Sequence, residues 1–181
     1  MSVTMENKIE VIDNFLDEKY FKELQELIFG RNFAWARVYT EKDGNQFVHP
    51  IFLLLPFGTV MDDFRSPCFH KFLLCLQKLK ASALLRIKVN LLTRTEKRIL
   101  NAYHGDMAHL EDSYPNLKNS GKTSILYMNT NNGVTKFEES GKEVESVANR
   151  MVIFPMRLKH AGSTNTDSDV PDRCVINFNY F

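Results

Sequence analysis

The chain has 181 residues, of which 44% are hydrophobic and 25% charged, and its formal net charge is +1. That length and composition predict a single domain (1–181) with a real hydrophobic core, and the balanced charge predicts neither a nucleic-acid nor a membrane partner. Cys68, Cys75 and Cys174 are odd in number and form no C-x-x-C pair, and "MSVTMENKIEVIDNF" has no apolar signal segment, so reduced thiols in a cytoplasm are expected rather than disulfides or a zinc–thiolate site.

Along the chain, "IEVIDNFLDEKYFKELQELIFG" comes first. Ile9, Val11 and Phe15 read as a short strand. Asp17 fits a helix N-cap, Tyr20, Phe21, Leu24, Leu27 and Ile28 recur at helical spacing, and Gly30 fits the stop. "IFLLLPFG" is too short to span a membrane and reads as a buried segment. Ser66 and Pro67 predict a second helix start, with Phe69, Phe72, Leu73, Leu76 and Leu79 as its apolar stripe. Residues 1–82 are therefore expected to be mostly helical support.

From residue 83 the rhythm changes to short strands: "ALLRIKVNLLT", "KTSILYMNT", "GVTKFEES", "KEVESVANRMVIFP", "KHAGS" and "RCVINFNYF". Helices first and strands last predict an α+β, mainly-β fold with helices on one side of an antiparallel sheet. The connection 107–122 is long and polar, a length typical of lids, and Tyr114-Pro115 lies within it. In the last strand Arg173, Val175, Asn177 and Asn179 share one face. Cys174, Ile176, Phe178 and Tyr180 share the other, which wants the helices behind it. Arg86, Lys88 and Asn90 alternate on an early strand and read as a solvated face. His49, His70 and Trp35 read as structural.

In "NAYHGDM", His104 and Asp106 are two apart and would point the same way from a strand end. Alone, an H-x-D triplet recurs by chance and equally fits a wet strand end. Farther on come His160, just before Ala161-Gly162-Ser163, and then Arg173. Gly and small residues there admit close approach of backbone or ligand.

The order H-x-D, distal His, Arg within this strand pattern resembles the 2-oxoglutarate- and Fe(II)-dependent dioxygenases, particularly the prolyl-hydroxylase-like branch that includes small bacteriophage members. The matching pieces are "VIDNFLDEKYFKELQELI", "RIKVNLLTRTEKRILNAYHGDM", "TSILYMN", "ANRMVIFP", "KHAGS" and "DRCVINFNYF". The resemblance implies a double-stranded β-helix (a jelly roll) over 83–181 with flanking N-terminal helices. It implies that His104, Asp106 and His160 ligate Fe(II). It also implies that Arg173 grips the distal carboxylate of 2-oxoglutarate with Tyr127, and that Asn177 lies near the iron as a co-substrate or water contact. Two imidazoles and one carboxylate suit Fe(II) and leave positions open for 2-oxoglutarate and dioxygen. A guanidinium suits a carboxylate. The implied activity is hydroxylation of a C–H bond in a protein, peptide or small-molecule substrate, with succinate and carbon dioxide as co-products. Relatives often carry a tyrosine in the strand before H-x-D, where this chain reads "VNLLTRT". The alternatives are a catalytically inactive β-helix binding module and a zinc hydrolase using the same three ligands, in which Arg173 has no obvious task.

Overall fold

The computed structural model describes residues 8–40, 44–57, 60–106 and 120–181. Eleven strands are present among them. The first five are β1 (Glu10–Ile12), β2 (Ala36–Thr40), β3 (Gly44–Phe57), β4 (Val60–Arg65) and β5 (Leu84–Thr93). After the H-x-D come β6 (Lys122–Tyr127), β7 (Asn131–Phe137), β8 (Glu143–Ser146), β9 (Met151–Pro155), β10 (His160–Gly162) and β11 (Asp172–Tyr180). The helices are α1 (Glu18–Ile28) and α2 (Leu73–Leu79), the latter entered through a 3-10 turn, Phe69–Phe72. None is long and apolar enough to cross a membrane.

The strands form two antiparallel sheets. The larger runs β1-β9-β6-β11-β5-β3-β2, with β4 also on β3, and the smaller runs β10-β7-β8. This is the double-stranded β-helix, with helices on the outside of the larger sheet. Alternation along β11 separates the two sides. Cys174, Ile176, Phe178 and Tyr180 join Phe21, Leu24 and Ile28 of α1 in the main core, while Val175 packs between the sheets with Ile125, Phe137 and Phe154. Burying each large side chain removes roughly 1.5–3 kcal/mol of apolar exposure. The main core thus lies between the larger sheet and the helices, and a smaller apolar cluster lies between the two sheets.

Helix α1 forms as its sequence predicts. The Asp17 carboxylate accepts the Tyr20 N–H at 3.0 Å. A Cβ on Gly30 would lie 2.6 Å from the Glu26 carbonyl oxygen, so only glycine lets the chain turn away this tightly. The second helix differs from expectation. The Ser66 hydroxyl bonds His49 Nε2 at 2.9 Å and caps nothing. The buried stripe is Phe72, Cys75 and Leu79, while Leu73 is 51% exposed. The 3-10 entry shifts the helical phase, so Leu73 leaves the core side and Cys75 takes its place.

The larger correction concerns residues 36–40, 44–57 and 60–65, which are strands and not helical support. β3 pairs along β5 from Phe47↔Leu91 to Leu53↔Arg86, with a register shift between Pro50 and Phe52. The run is rich in aromatic and aliphatic residues that suit strands. Pro50 breaks the alternation that reveals a strand in sequence and places the bulge. β1 is shorter than read, since Phe15 lies outside it in the main core.

Candidate metal centre and its cavity

His104 and His160 meet through the backbone. Each N–H donates to the other's carbonyl at 3.0 Å, an isolated bridge on the edge of β10 opposite its partner β7. The H-x-D is therefore not the end of a ladder strand. Two isolated bridges, Leu100↔Ser163 and His104↔His160, and the Asn101 N–H to Gly162 O bond hold the segment before it alongside residues 160–163. The two imidazole centroids are 4.9 Å apart. His104 Nε2 is 4.0 Å from Asp106 Oδ1, and donor atoms of His104, Asp106 and His160 all lie within 4.8 Å of one another. Each histidine Nδ1 lies 3.1 Å from a backbone carbonyl, Ala102 for His104 and Leu158 for His160. A carbonyl only accepts, so Nδ1 carries the proton and Nε2 keeps its lone pair for the centre. The Phe154 ring stands edge-on to His160 at 4.8 Å and fixes its plane.

Electrostatics keep Asp106 and His160 in ligand form. Burial works against ionisation of Asp106, yet Arg86, His160, Asn179 and His104 outweigh it and hold the carboxyl well below the usual carboxylate range. Burial pushes His160 below the ordinary imidazole value despite Asp106, so it is neutral at neutral pH. Two imidazoles and a carboxylate fit a divalent first-row metal.

The triad opens onto a cavity of about 340 Å³ between the sheets, and Arg173 lines its far end. Arg173 is 3% exposed. Its Nε donates to Ser146 Oγ at 2.7 Å and its Nη2 to Thr135 Oγ1 at 3.0 Å. Its guanidinium carbon lies 5.5 Å from the Tyr127 ring centroid. Among the described residues no carboxylate pairs with it. A buried cation held by neutral groups alone costs several kcal/mol unless an anion joins it. Two glycines make room for it. A Cβ at Gly133 would lie 2.6 Å from Arg173 Cδ, and one at Gly162 would lie 3.1 Å from Nη1. Small residues after His160 were expected to permit close approach. Gly133 gave no comparable signal.

Of the residues singled out in the sequence, His104, Asp106, His160, Arg173 and Asn177 all line this one cavity. The Asn177 Oδ1 atom is buried without a hydrogen-bond partner among the described residues. Tyr127 is fully buried, packed between the sheets, and its hydroxyl donates to Thr135 Oγ1 at 2.8 Å. Burial pushes its phenol up, so it remains a neutral donor. Thr135 is a wall residue that sequence reading missed, as are Gln46 and Asn101. The Thr135 oxygen accepts from both Tyr127 and Arg173, so its own proton is directed to a further acceptor. The alternation Gly133, Thr135, Phe137 on β7 was the available signal.

The reading of Arg86, Lys88 and Asn90 as a solvated face is overturned: all three line the cavity. They are only partly buried, and they share the cavity wall with Thr135, His160 and Gly162 of the smaller sheet. In "VNLLTRT", where relatives often carry a tyrosine, Asn90 and Leu92 reach the wall. His49 is structural as read, bonded to Ala34 O and Ser66 Oγ. His109 and Tyr114-Pro115 fall outside the described residues, as does 107–119 of the expected lid.

No family model matches the sequence, and no curated protein matches it. Solved structures do. A 2OG-Fe(II) oxygenase family oxidoreductase from Burkholderia pseudomallei aligns with TM-score 0.69 at 12% identity, over 97% of this chain and 86% of that one. A prolyl hydroxylase from Trichoplax adhaerens, in complex with a hypoxia inducible factor peptide fragment, aligns with TM-score 0.66 at 13% identity, over 97% and 84%. The non-heme alpha ketoglutarate dependent epimerase SnoN from nogalamycin biosynthesis aligns with TM-score 0.65 at 12% identity, over 97% and 78%. The chain thus has the fold of the 2OG-Fe(II) oxygenases, a fold that serves both a hydroxylase and an epimerase.

Proposed function

We propose that the chain is an Fe(II)- and 2-oxoglutarate-dependent oxygenase that hydroxylates a C–H bond, with a prolyl residue of a protein or peptide as the first substrate to test. One observation carries the reading. Three convergent donors and a buried guanidinium with no carboxylate partner among the described residues line the same cavity. Gly162, which abuts Arg173, is two residues from His160 on β10, about 7 Å of strand. A short dicarboxylate would be of the length to reach from the triad to Arg173.

His104, Asp106 and His160 would hold the metal, each histidine through Nε2. When bound, Fe(II) supplies the redox chemistry by which dioxygen, 2-oxoglutarate and a substrate C–H bond become succinate, carbon dioxide and an alcohol. Arg173 would take the distal carboxylate of 2-oxoglutarate through its inward-facing N–H groups. Thr135 adds its hydroxyl proton to the same carboxylate, and Tyr127 acts through Thr135 by fixing that hydroxyl's direction. Asn177 offers Oδ1 to a donor between the two ends, a water or a substrate N–H or O–H. Val175, Ile125 and Leu92 line the cavity between these polar groups and limit water.

The test is succinate formation from 2-oxoglutarate with Fe(II) and oxygen, run with proline-containing peptides and single amino acids, with mass spectrometry for the gain of one oxygen. Absence of both metal and 2-oxoglutarate binding would defeat the reading.

A further inference from the structure

Arg86, Asn179 and Thr123 lie side by side across three strands, because Asn179 pairs in register with Arg86 of β5 and with Thr123 of β6. Their polar ends close a circuit around Asp106. Arg86 Nη2 donates to Asp106 Oδ1 at 2.7 Å, and its Nε donates to Asn179 Oδ1 at 2.8 Å. Asn179 Nδ2 reaches Asp106 Oδ2 and Thr123 Oγ1, both at 2.9 Å, while Thr123 Oγ1 donates to Asp106 Oδ2 at 3.1 Å. Thr123 and Asn179 are fully buried, and the Arg86 side chain is 17% exposed.

Asp106 sits on a turn, so no ladder of its own fixes its carboxylate. Thr123 and Asn179 hold Oδ2 and leave Oδ1 free to swing. Arg86 stops that swing from one side, and the other lone pair of Oδ1 stays available to the centre, 4.0 Å from His104 Nε2. The guanidinium is itself gripped at Nε by Asn179, so it works as a braced strut.

We propose that Arg86 is a positioning residue for the metal: anchored by Asn179, it holds the Asp106 carboxylate in the orientation that presents Oδ1 to the two histidines. This rests on the triad being a metal site, the reading given above. Two effects of Arg86 oppose each other. A cation beside a ligand repels a divalent metal, whereas losing an outer hydrogen-bond partner of a ligand costs about 10–100-fold in affinity. The braced geometry makes orientation the larger.

The experiment titrates the full chain with Co(II), whose visible absorption reports ligand number and geometry, and records thermal melting of each variant. Arg86→Ala should bind Co(II) about 10–100-fold more weakly with an altered spectrum. Arg86→Lys, which keeps the charge but cannot brace against Asp106 and Asn179 together, should recover part of the affinity. If Arg86→Ala does not fold, Arg86→Gln carries the test with the same expected loss. A folded variant lacking the guanidinium whose Co(II) affinity is unchanged or tighter overturns the proposal, as does a lowered melting temperature with unmoved affinity and spectrum. A wild-type chain that binds no Co(II) defeats the metal-site reading itself, so the two failures are told apart.

Discussion

His104 and His160 are joined by two reciprocal backbone hydrogen bonds, so the two imidazoles are placed by main chain and not by each other's side chains. The pairing survives a change of either ring. His104→Ala should therefore abolish metal binding at little structural cost. Its side chain is 54% exposed, and truncation there should change stability by less than about 1 kcal/mol. Metal titration together with thermal melting checks both halves of this expectation.

Arg173 should act on the co-substrate and leave the metal alone. It shares no hydrogen bond with the triad and donates instead to Ser146 and Thr135. Charge-assisted hydrogen bonds of the kind it would make contribute about 1.5–3 kcal/mol, so Arg173→Ala should weaken 2-oxoglutarate by about 10- to 100-fold. Calorimetric titration of 2-oxoglutarate into Mn(II)-loaded protein measures this. Wild-type co-substrate affinity in the variant would remove Arg173 from the site.

Gly133 should matter without touching any ligand. An alanine there meets Arg173 Cδ at 2.6 Å and Asn131 Oδ1 at 2.9 Å, so the arginine stem must move. Crowding of this kind costs roughly 1–3 kcal/mol. Gly133→Ala should raise the KM for 2-oxoglutarate with metal affinity unchanged. The same substitution at Gly162, where the nearest contact is the guanidinium end at 3.1 Å, should act in the same direction more weakly.

The thiols should differ sharply in reactivity. Cys75 is buried and its thiol is pushed up to about 12 by burial, and burial raises Cys174 as well. Cys68 is partly exposed. The thiolate is the reactive form, so iodoacetamide near pH 8 should label Cys68 alone in the native chain and all three cysteines after denaturation. Intact-mass measurement counts the labels. Rapid native labelling of Cys75 or Cys174 would contradict the packing of the main core.

Much of this was readable before any coordinates. Strand alternation put Cys174, Ile176, Phe178 and Tyr180 on one side and Arg173, Val175 and Asn177 on the other. That followed from the period of two alone, because a strand has no other way to place successive side chains. The order of His104, Asp106, His160 and Arg173 likewise marked the candidate site. The pairing of β3 was hidden because Pro50 interrupts its pattern. Leu73 was misplaced because a 3-10 turn shifts phase without any sign in the hydrophobic spacing.

Local sequence thus determined which residues face the same way along one strand, since that depends only on backbone geometry. Tertiary structure decided which faces look at each other. The β5–β11–β6 register sets Arg86 beside Asn179 and Thr123, and the turn at Asp106 folds over all three. The smaller sheet brings Thr135 and Gly133 against Arg173. Pairing partners far apart in the chain are chosen by the sum of many contacts, and no single stretch of sequence carries that sum.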